Sequence, residues 1–316
     1  MKRAPIYRDE FHLAKLKNYK QMNLLIIGQS VVDKISYKGS EELKPGGIFY
    51  STIALRYLAE QDDELFLCTS MCRKDEYLFK DIYKMVNTKY VQFVDDIPTV
   101  KLTVYDDKER DETYSNITQN LILPMNELNK FDGIFINMVT GFDINLKQME
   151  EVRKEFNGLI YIDVHTFSRG VSDDMRRNFR RIPGFDKWAK NIDILQVNEE
   201  EIQTISDKKN EIDIVREMFS YGIKILIVTK ADHGARAYFI EGNEINSVFI
   251  SAVKVKVLNK VGCGDVFGAV FFYNYIRKTD IIDSLMAANL AAGVSTTYSL
   301  ITEFKDFKKD VLQRFS

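Results

Sequence analysis

The sequence predicts an α/β fold: a mostly parallel central sheet between helices, with a small β lid. Short runs of branched and aromatic residues recur along the chain, and charged segments of helical character separate many of them. The clearest of these runs are apolar at consecutive positions, as strands buried on both faces of a parallel sheet must be. They are Leu24–Ile27, Glu64–Thr69, Gly133–Asn137, Leu159–Asp163, Ile192–Val197 and Ile223–Thr229. Helices are expected between them at Tyr50–Glu60, Glu76–Val86, Leu146–Phe156, Glu199–Ser206 and Asn210–Tyr221. Residues 34–43 and 99–114 alternate polar and apolar side chains with no helix between strands, so they form the expected lid, an antiparallel appendage over a cleft. Tyr238–Ile250 reads as a hairpin around Glu241-Gly242-Asn243, and Val253–Leu258 as a last alternating strand. An apolar run through Ile276 and the segment Asp280–Thr297 then read as two successive helices.

The chain has 316 residues, 45% hydrophobic and 28% charged, enough for a large core and unlike a disordered or fibrous sequence. With 44 Lys and Arg against 46 Asp and Glu, its formal charge of -2 provides no overall attraction to nucleic acid or anionic lipid, and neither is expected as a partner. The longest apolar stretch, Val266–Tyr273, falls far short of the roughly 18 residues of a spanning helix, so no membrane role is expected. Residues 1–22 form a basic arm, expected as a solvated helix rather than a signal peptide, and residues 23–316 one domain. Cys68, Cys72 and Cys263 form no CxxC pair and suit reduced thiols, in keeping with a cytoplasmic location. His12, His165 and His233 are too scattered for a zinc motif.

The segment that carries chemistry is Asn259-Lys-Val-Gly262-Cys263-Gly264-Asp265-Val-Phe-Gly268. Glycines at the start of a helix let the backbone turn sharply, and the first-turn amides then point outward at the positive end of the helix dipole. Such a turn cradles an anion. Asp265 within it has no use in phosphate holding alone, whereas a base that removes a hydroxyl proton belongs there. The competing reading is an N-capping Asp. A dinucleotide fingerprint is disfavoured, because the spacing G-x-G-x-x-x-G is one residue too long and a second helix follows where a strand is needed.

This segment resembles the signature D-T-x-G-A-G-D-x-F of the ribokinase-like (PfkB) carbohydrate kinases, with Gly262, Gly264, Asp265 and Phe267 in place. Gly28-Gln-Ser-Val-Val-Asp33 resembles the family's first strand and substrate-binding Asp, Pro45-Gly46-Gly47 its second substrate loop, and Cys72-Arg-Lys-Asp75 its G-x-D turn. Asn198-Glu-Glu-Glu201 is similar to its N-x-x-E motif, and Thr229 to Ala235 to its nucleotide-side strand and loop. The resemblance covers residues 23 to 305 in the family's order and implies a ribokinase-like three-layer sandwich. It further implies transfer of the ATP γ-phosphoryl group to a hydroxymethyl group of a sugar. Asp265 would be the general base, and the amides of Gly262, Cys263 and Gly264 the anion hole. Asp33, Gly46, Gly47 and Ser51 would bind substrate, Asn198 and Glu201 would hold Mg²⁺, and Thr229 and Asn289 would lie on the nucleotide side.

Several positions depart from the pattern. Ser51 stands where the family usually has Asn, leaving the acceptor open. Asn259 and Lys260 replace the usual Asp-Thr, which puts the monovalent-cation site of many members in doubt. Cys263 replaces a common Ala; a thiol at a helix N-terminus is either activated or an inert small side chain, and the inert reading is preferred. Asp163-Val-His165-Thr-Phe-Ser-Arg169 departs from the D-x-N-x-R pattern of many sugar-acid and sugar kinases, with Arg displaced by two residues, so His165 and Arg169 receive no role. The alternatives are a nucleoside kinase of the same fold and a non-catalytic ligand sensor. The lid is a candidate homodimer surface.

Overall fold

The computed structural model describes residues 20–103 and 111–315. Most of the basic arm and the middle of the second lid segment lie outside the described residues. The first half of the chain comprises β1 (Asn23–Ile27), β2 (Ser30–Tyr37), β3 (Ser40–Gly47), α1 (Phe49–Leu58), β4 (Glu64–Met71), α2 (Glu76–Tyr83), β5 (Asn87–Phe93), β6 (Thr99–Thr103) and β7 (Asp111–Tyr114). The next part runs β8 (Gly133–Asn137), α3 (Leu146–Glu155), β9 (Leu159–Asp163), β10 (Arg169–Val171), β11 (Arg177–Phe179), α4 (Phe185–Ala189), β12 (Ile194–Asn198), α5 (Glu211–Ser220) and β13 (Ile225–Thr229). The hairpin β14 (Gly234–Glu241) and β15 (Glu244–Ser251) then leads to α6 (Cys263–Lys278), α7 (Ile281–Ser295) and α8 (Phe307–Phe315).

The central sheet has nine strands in the order β15-β14-β13-β12-β9-β8-β1-β4-β5, and every pairing is parallel except β13–β14 and β14–β15. Strand residues alternate between two cores. Leu24, Ile26, Phe135 and Tyr161 face the layer of α1, α6 and α7, while Leu25, Ile27, Ile136 and Val197 face α3 and α5. Both faces are covered, which is why these strands read as continuous apolar runs.

From β1 the chain builds outward through β4 and β5, then returns to β8 on the other side of β1. The strand order therefore reverses at β1 and β8, and the carboxyl ends of strands at such a reversal leave a crevice for a ligand. Gly28 at the end of β1 is part of that close approach: an added Cβ would lie 2.9 Å from the carbonyl oxygen of Asn137.

Three expectations need correction. The lid is a mixed sheet in the order β3-β2-β6-β7, because β2 and β6 are parallel. The chain passes through α1, β4, α2 and β5 between them, and so long a crossover permits a parallel return. Val253–Leu258 is no strand: the amides of Leu258 and Asn259 bond the carbonyl of Thr296 at the end of α7, at 2.8 and 3.1 Å, instead of a ladder. Glu199–Ser206 supplies only one 3₁₀ turn, Glu201–Thr204, too short to be the predicted helix. Finally, β5, β10, β11 and α4 carry no clear periodic signal in the sequence, and β5 is a half-exposed edge strand.

Candidate active site

Helix α6 begins where Gly262 adopts φ +79°, and Val266 donates the first helical bond back to its carbonyl at 2.9 Å. Only glycine fits here: a Cβ would lie 2.2 Å from the Tyr50 ring, in addition to the left-handed backbone. Gly264 has nothing within 4 Å of its missing Cβ and lines a cavity of about 270 Å³ at the carboxyl ends of the parallel strands. Asp265 lies in the first turn of the same helix and also faces this cavity. It does not cap its own helix. Its Oδ1 accepts a 2.6 Å hydrogen bond from Nδ2 of Asn137, the last residue of β8.

Burial raises the pKa of the Asp265 carboxyl, while the nearby His165 and the Asn137 hydrogen bond pull it back down. Imidazole Nε2 of His165 lies 3.9 Å from Asp265 Oδ1. His165 itself has φ +38°, a costly conformation for a non-glycine residue, held as its backbone amide bonds Asp163 Oδ1 at 3.2 Å. Asp163, the last residue of β9, is buried, and both burial and the charges of Glu201 and Asp265 push its pKa well up. Gln196 bridges this carboxylate to the helix turn, donating Nε2 to Asp163 Oδ2 at 2.8 Å and to the Gly264 carbonyl at 3.2 Å.

Glu201 is buried on the rim of the same group, and burial raises its pKa as well. Its Oε2 accepts from the backbone amide of Asn198 at 2.9 Å, and Asn198 Oδ1 in return accepts from the amides of Glu200 and Glu201 at 2.9 and 2.8 Å. Ordinary helix-start chemistry is therefore present at this pair. Yet Asp163, Glu201 and Asp265 together place three acids on one cavity where burial opposes their ionisation. Oxygen atoms suit a hard divalent cation, but the carboxylate oxygens of these three acids do not all lie within 4.8 Å of one another, so they do not form a ready-made set for a single ion.

Asp33 and Gly47 line the cavity from the lid side. Gly46 lies beneath Asp33, since a Cβ there would come within 2.4 Å of the carboxylate. Thr229 lines the opposite side at the end of β13. Two expected contacts lie elsewhere. Ser51 is fully buried and its hydroxyl donates to the carbonyl of Asp265 at 3.2 Å, so it supports the helix turn from behind. Asn289 donates to the carbonyl of Ser251 at 2.6 Å and ties α7 to the end of β15. Burial and the Asp265 charge raise the Cys263 thiol, in line with the inert reading.

Sequence reading assigned no role to His165, Arg169, Arg177, Gln196, Asn137 and Glu112. The first four and Glu112 line the cavity, and Asn137 reaches it through Asp265. For Asn137, Gln196 and Asp163 a signal was available, because each is a polar residue at or near the end of an apolar strand. Arg177 and Glu112 had no local signal, as the β10–β11 hairpin and β7 bring them in from outside the main sheet.

The model of the pfkB family carbohydrate kinase matches residues 145–306. Among curated proteins, the 5-dehydro-2-deoxygluconokinase of Clostridium beijerinckii is 23% identical over 222 residues, a match spanning 68% of this chain and 60% of that protein. An Arabidopsis thaliana ribokinase complexed with ribose and ATP superposes with a TM-score of 0.72 at 16% identity, covering 93% of this chain and 98% of that one. A Xylella fastidiosa fructokinase with bound ATP gives 0.74 at 12% identity, again covering 93% and 98%. At such identities these structures show the fold, which is the ribokinase-like α/β sandwich expected from the sequence.

Proposed function

The chain belongs to the pfkB family of carbohydrate kinases, and on that footing we propose that it transfers the γ-phosphoryl group of ATP to a hydroxymethyl group of a sugar. The observation that carries this reading is the placing of Asp265: its carboxylate faces the cavity beside Gly264 instead of capping its own helix. Asp265 takes the proton from the acceptor hydroxyl as the oxygen attacks phosphorus. The outward amides of Gly262, Cys263 and Gly264 stabilise the negative charge on the transferring group, at the positive end of α6. Asn137 and His165 favour the ionised form of the base, partly offsetting the burial that raises its pKa.

Asn198 and Glu201 would hold Mg²⁺ through bound water near Asp163, and the ion, when bound, offsets phosphate charge. On the acceptor side, Asp33 and Gly47 meet the hydroxyls of the sugar. The polar character of this end favours a sugar over a nucleoside. Asp33, Glu112, Arg169 and Arg177 surround it, with Val31, Val100 and Leu102 as aliphatic walls; of the Phe49-Tyr50 pair only Tyr50 lines the cavity, and Phe49 is buried in the core.

Acceptor-stimulated ATP turnover tests the reading. In Asp265→Asn we expect kcat to fall by roughly 10²- to 10⁴-fold with nucleotide affinity retained. Unchanged turnover in that variant overturns the base assignment, and nucleotide binding without transfer to any sugar or nucleoside makes the protein a ligand sensor.

A further inference from the structure

Lys260 opens the glycine turn and lines the cavity together with Gly262, Gly264 and Asp265. Its backbone is held from both sides. The amides of Leu258 and Asn259 bond the carbonyl of Thr296 at 2.8 and 3.1 Å, and Asn259 Oδ1 accepts from the amide of Val261 at 3.0 Å. The Lys260 carbonyl in turn accepts from the amide of Cys263, the first residue of α6, at 3.4 Å. The root of the side chain is therefore fixed at the entrance to the helix. Its ammonium is not: the residue is exposed and forms no ion pair or side-chain hydrogen bond among the described residues.

The other cationic side chains on the cavity have acids beside them. Arg169 and Arg177 approach Glu112 at 3.4 and 3.5 Å near the lid, and His165 lies 3.9 Å from Asp265. Lys260 stands at the turn itself. Burial and the Asp265 charge raise the Cys263 thiol and the Lys260 charge opposes them, so the ammonium is within electrostatic reach of the first turn of α6.

Phosphoryl transfer gathers negative charge at this place. The acceptor oxygen bonds the γ-phosphorus as the bond to the β,γ-bridging oxygen breaks; the hydroxyl proton passes to Asp265, and the electron pair of the broken bond leaves with ADP. Charge spreads over the three equatorial oxygens of the migrating group, beside an Asp265 carboxylate that must itself be ionised to act. The helix amides supply partial positive charge from one fixed direction. An ammonium on a flexible four-carbon stem adds a full point charge that can follow the group from donor to acceptor. A contact of this kind, tightest while the group is in flight, lowers the barrier instead of merely holding the nucleotide.

Resting on the kinase reading above, we propose that Lys260 is a catalytic residue of the transfer, its ammonium touching the oxygens of the migrating phosphoryl group in the transition state.

The test uses the full chain with ATP and Mg²⁺ on a panel of sugars and nucleosides, and reads kcat, the Kd of a non-hydrolysable ATP analogue, and Tm. Lys260→Met keeps most of the stem without the charge and should lower kcat by roughly 10²- to 10³-fold, with a much smaller rise in Kd and no loss of Tm, because the side chain is exposed. Lys260→Arg keeps the charge and should retain part of the rate. In Lys260→Ala, added ethylammonium or propylammonium should restore part of kcat, a rescue that a purely structural role would not show. An unchanged kcat in Lys260→Met, a loss confined to Kd, or a fall in kcat that Lys260→Arg shares in full and added amine does not relieve overturns the inference and leaves the kinase reading standing. Absence of transfer by the unaltered protein to every compound overturns the two together.

Discussion

Asn137, at the end of β8, donates its side-chain amide to Oδ1 of Asp265 in the first turn of α6, at 2.6 Å. The bond joins the sheet to the helix across the point where the strand order reverses, and it favours the ionised form of a carboxyl that burial would otherwise protonate. Removing it in Asn137→Ala raises the pKa of Asp265. The base must be ionised to act, so the acidic limb of the kcat/KM profile should move to higher pH. A profile identical to that of the wild type would show that the bond does not control the base.

Gly262 and Gly264 should respond differently to the same substitution. Gly262→Ala places a side chain in the left-handed region, at a cost of about 1–2 kcal/mol, and against the Tyr50 ring, so Tm falls. Tyr50→Ala should recover part of that loss. Gly264→Ala has an open space to enter and should leave stability within about 0.5 kcal/mol, but its methyl group projects toward the cavity and kcat should fall by roughly tenfold or more. Thermal melting and steady-state rates separate the two.

Asp63 anchors the far end of α6. Its fully buried carboxylate pairs with Arg277 and accepts from the Tyr273 hydroxyl at 2.7 Å and from the Met22 amide at 3.0 Å. Arg277→Met leaves that charge buried without its cation and should cost about 3–5 kcal/mol in denaturant unfolding. The substitution lies at the opposite end of the helix from Asp265, so kcat measured on the folded fraction should hold.

Asp163, Glu201 and Asp265 all have raised pKa values in the folded chain. A carboxyl of this kind holds its proton more tightly folded than unfolded, so its contribution to stability falls as pH rises from the unfolded pKa toward the folded one. Mg²⁺ should offset this loss. We expect the ion to raise Tm above that window, corresponding to about 1–3 kcal/mol of stability at 10 to 100 times its Kd, and to have little effect in acid where the groups are protonated. In Glu201→Gln the Mg²⁺ effect should shrink, whereas an equal shift in that variant would place the ion elsewhere.

The order of the amino acids by itself determines the α/β class, most parallel strands to within a few residues, and the glycine turn that carries Asp265. These are local properties: an apolar run needs burial on two faces, and a glycine pair before a helix exposes amides whatever else the chain does. The sequence also marks Asp33, Gly47, Asn198, Glu201 and Thr229, all of which lie on the cavity.

Only the tertiary structure decides which of the remaining polar residues face that cavity. Ser51 and Asn289 carry the right chemistry, but packing turns them to the carbonyls of Asp265 and Ser251. His165 and Arg169 fit no spacing rule, yet a strained backbone at His165 and the β10–β11 hairpin aim them inward. Glu112 meets two arginines from more than fifty positions further along the chain because β7 and the hairpin touch. Periodicity records which face of its own element a residue occupies. Which elements meet, and so which charges must share one buried space, follows from the crossing of the chain at β1 and β8 and from the packing of the lid.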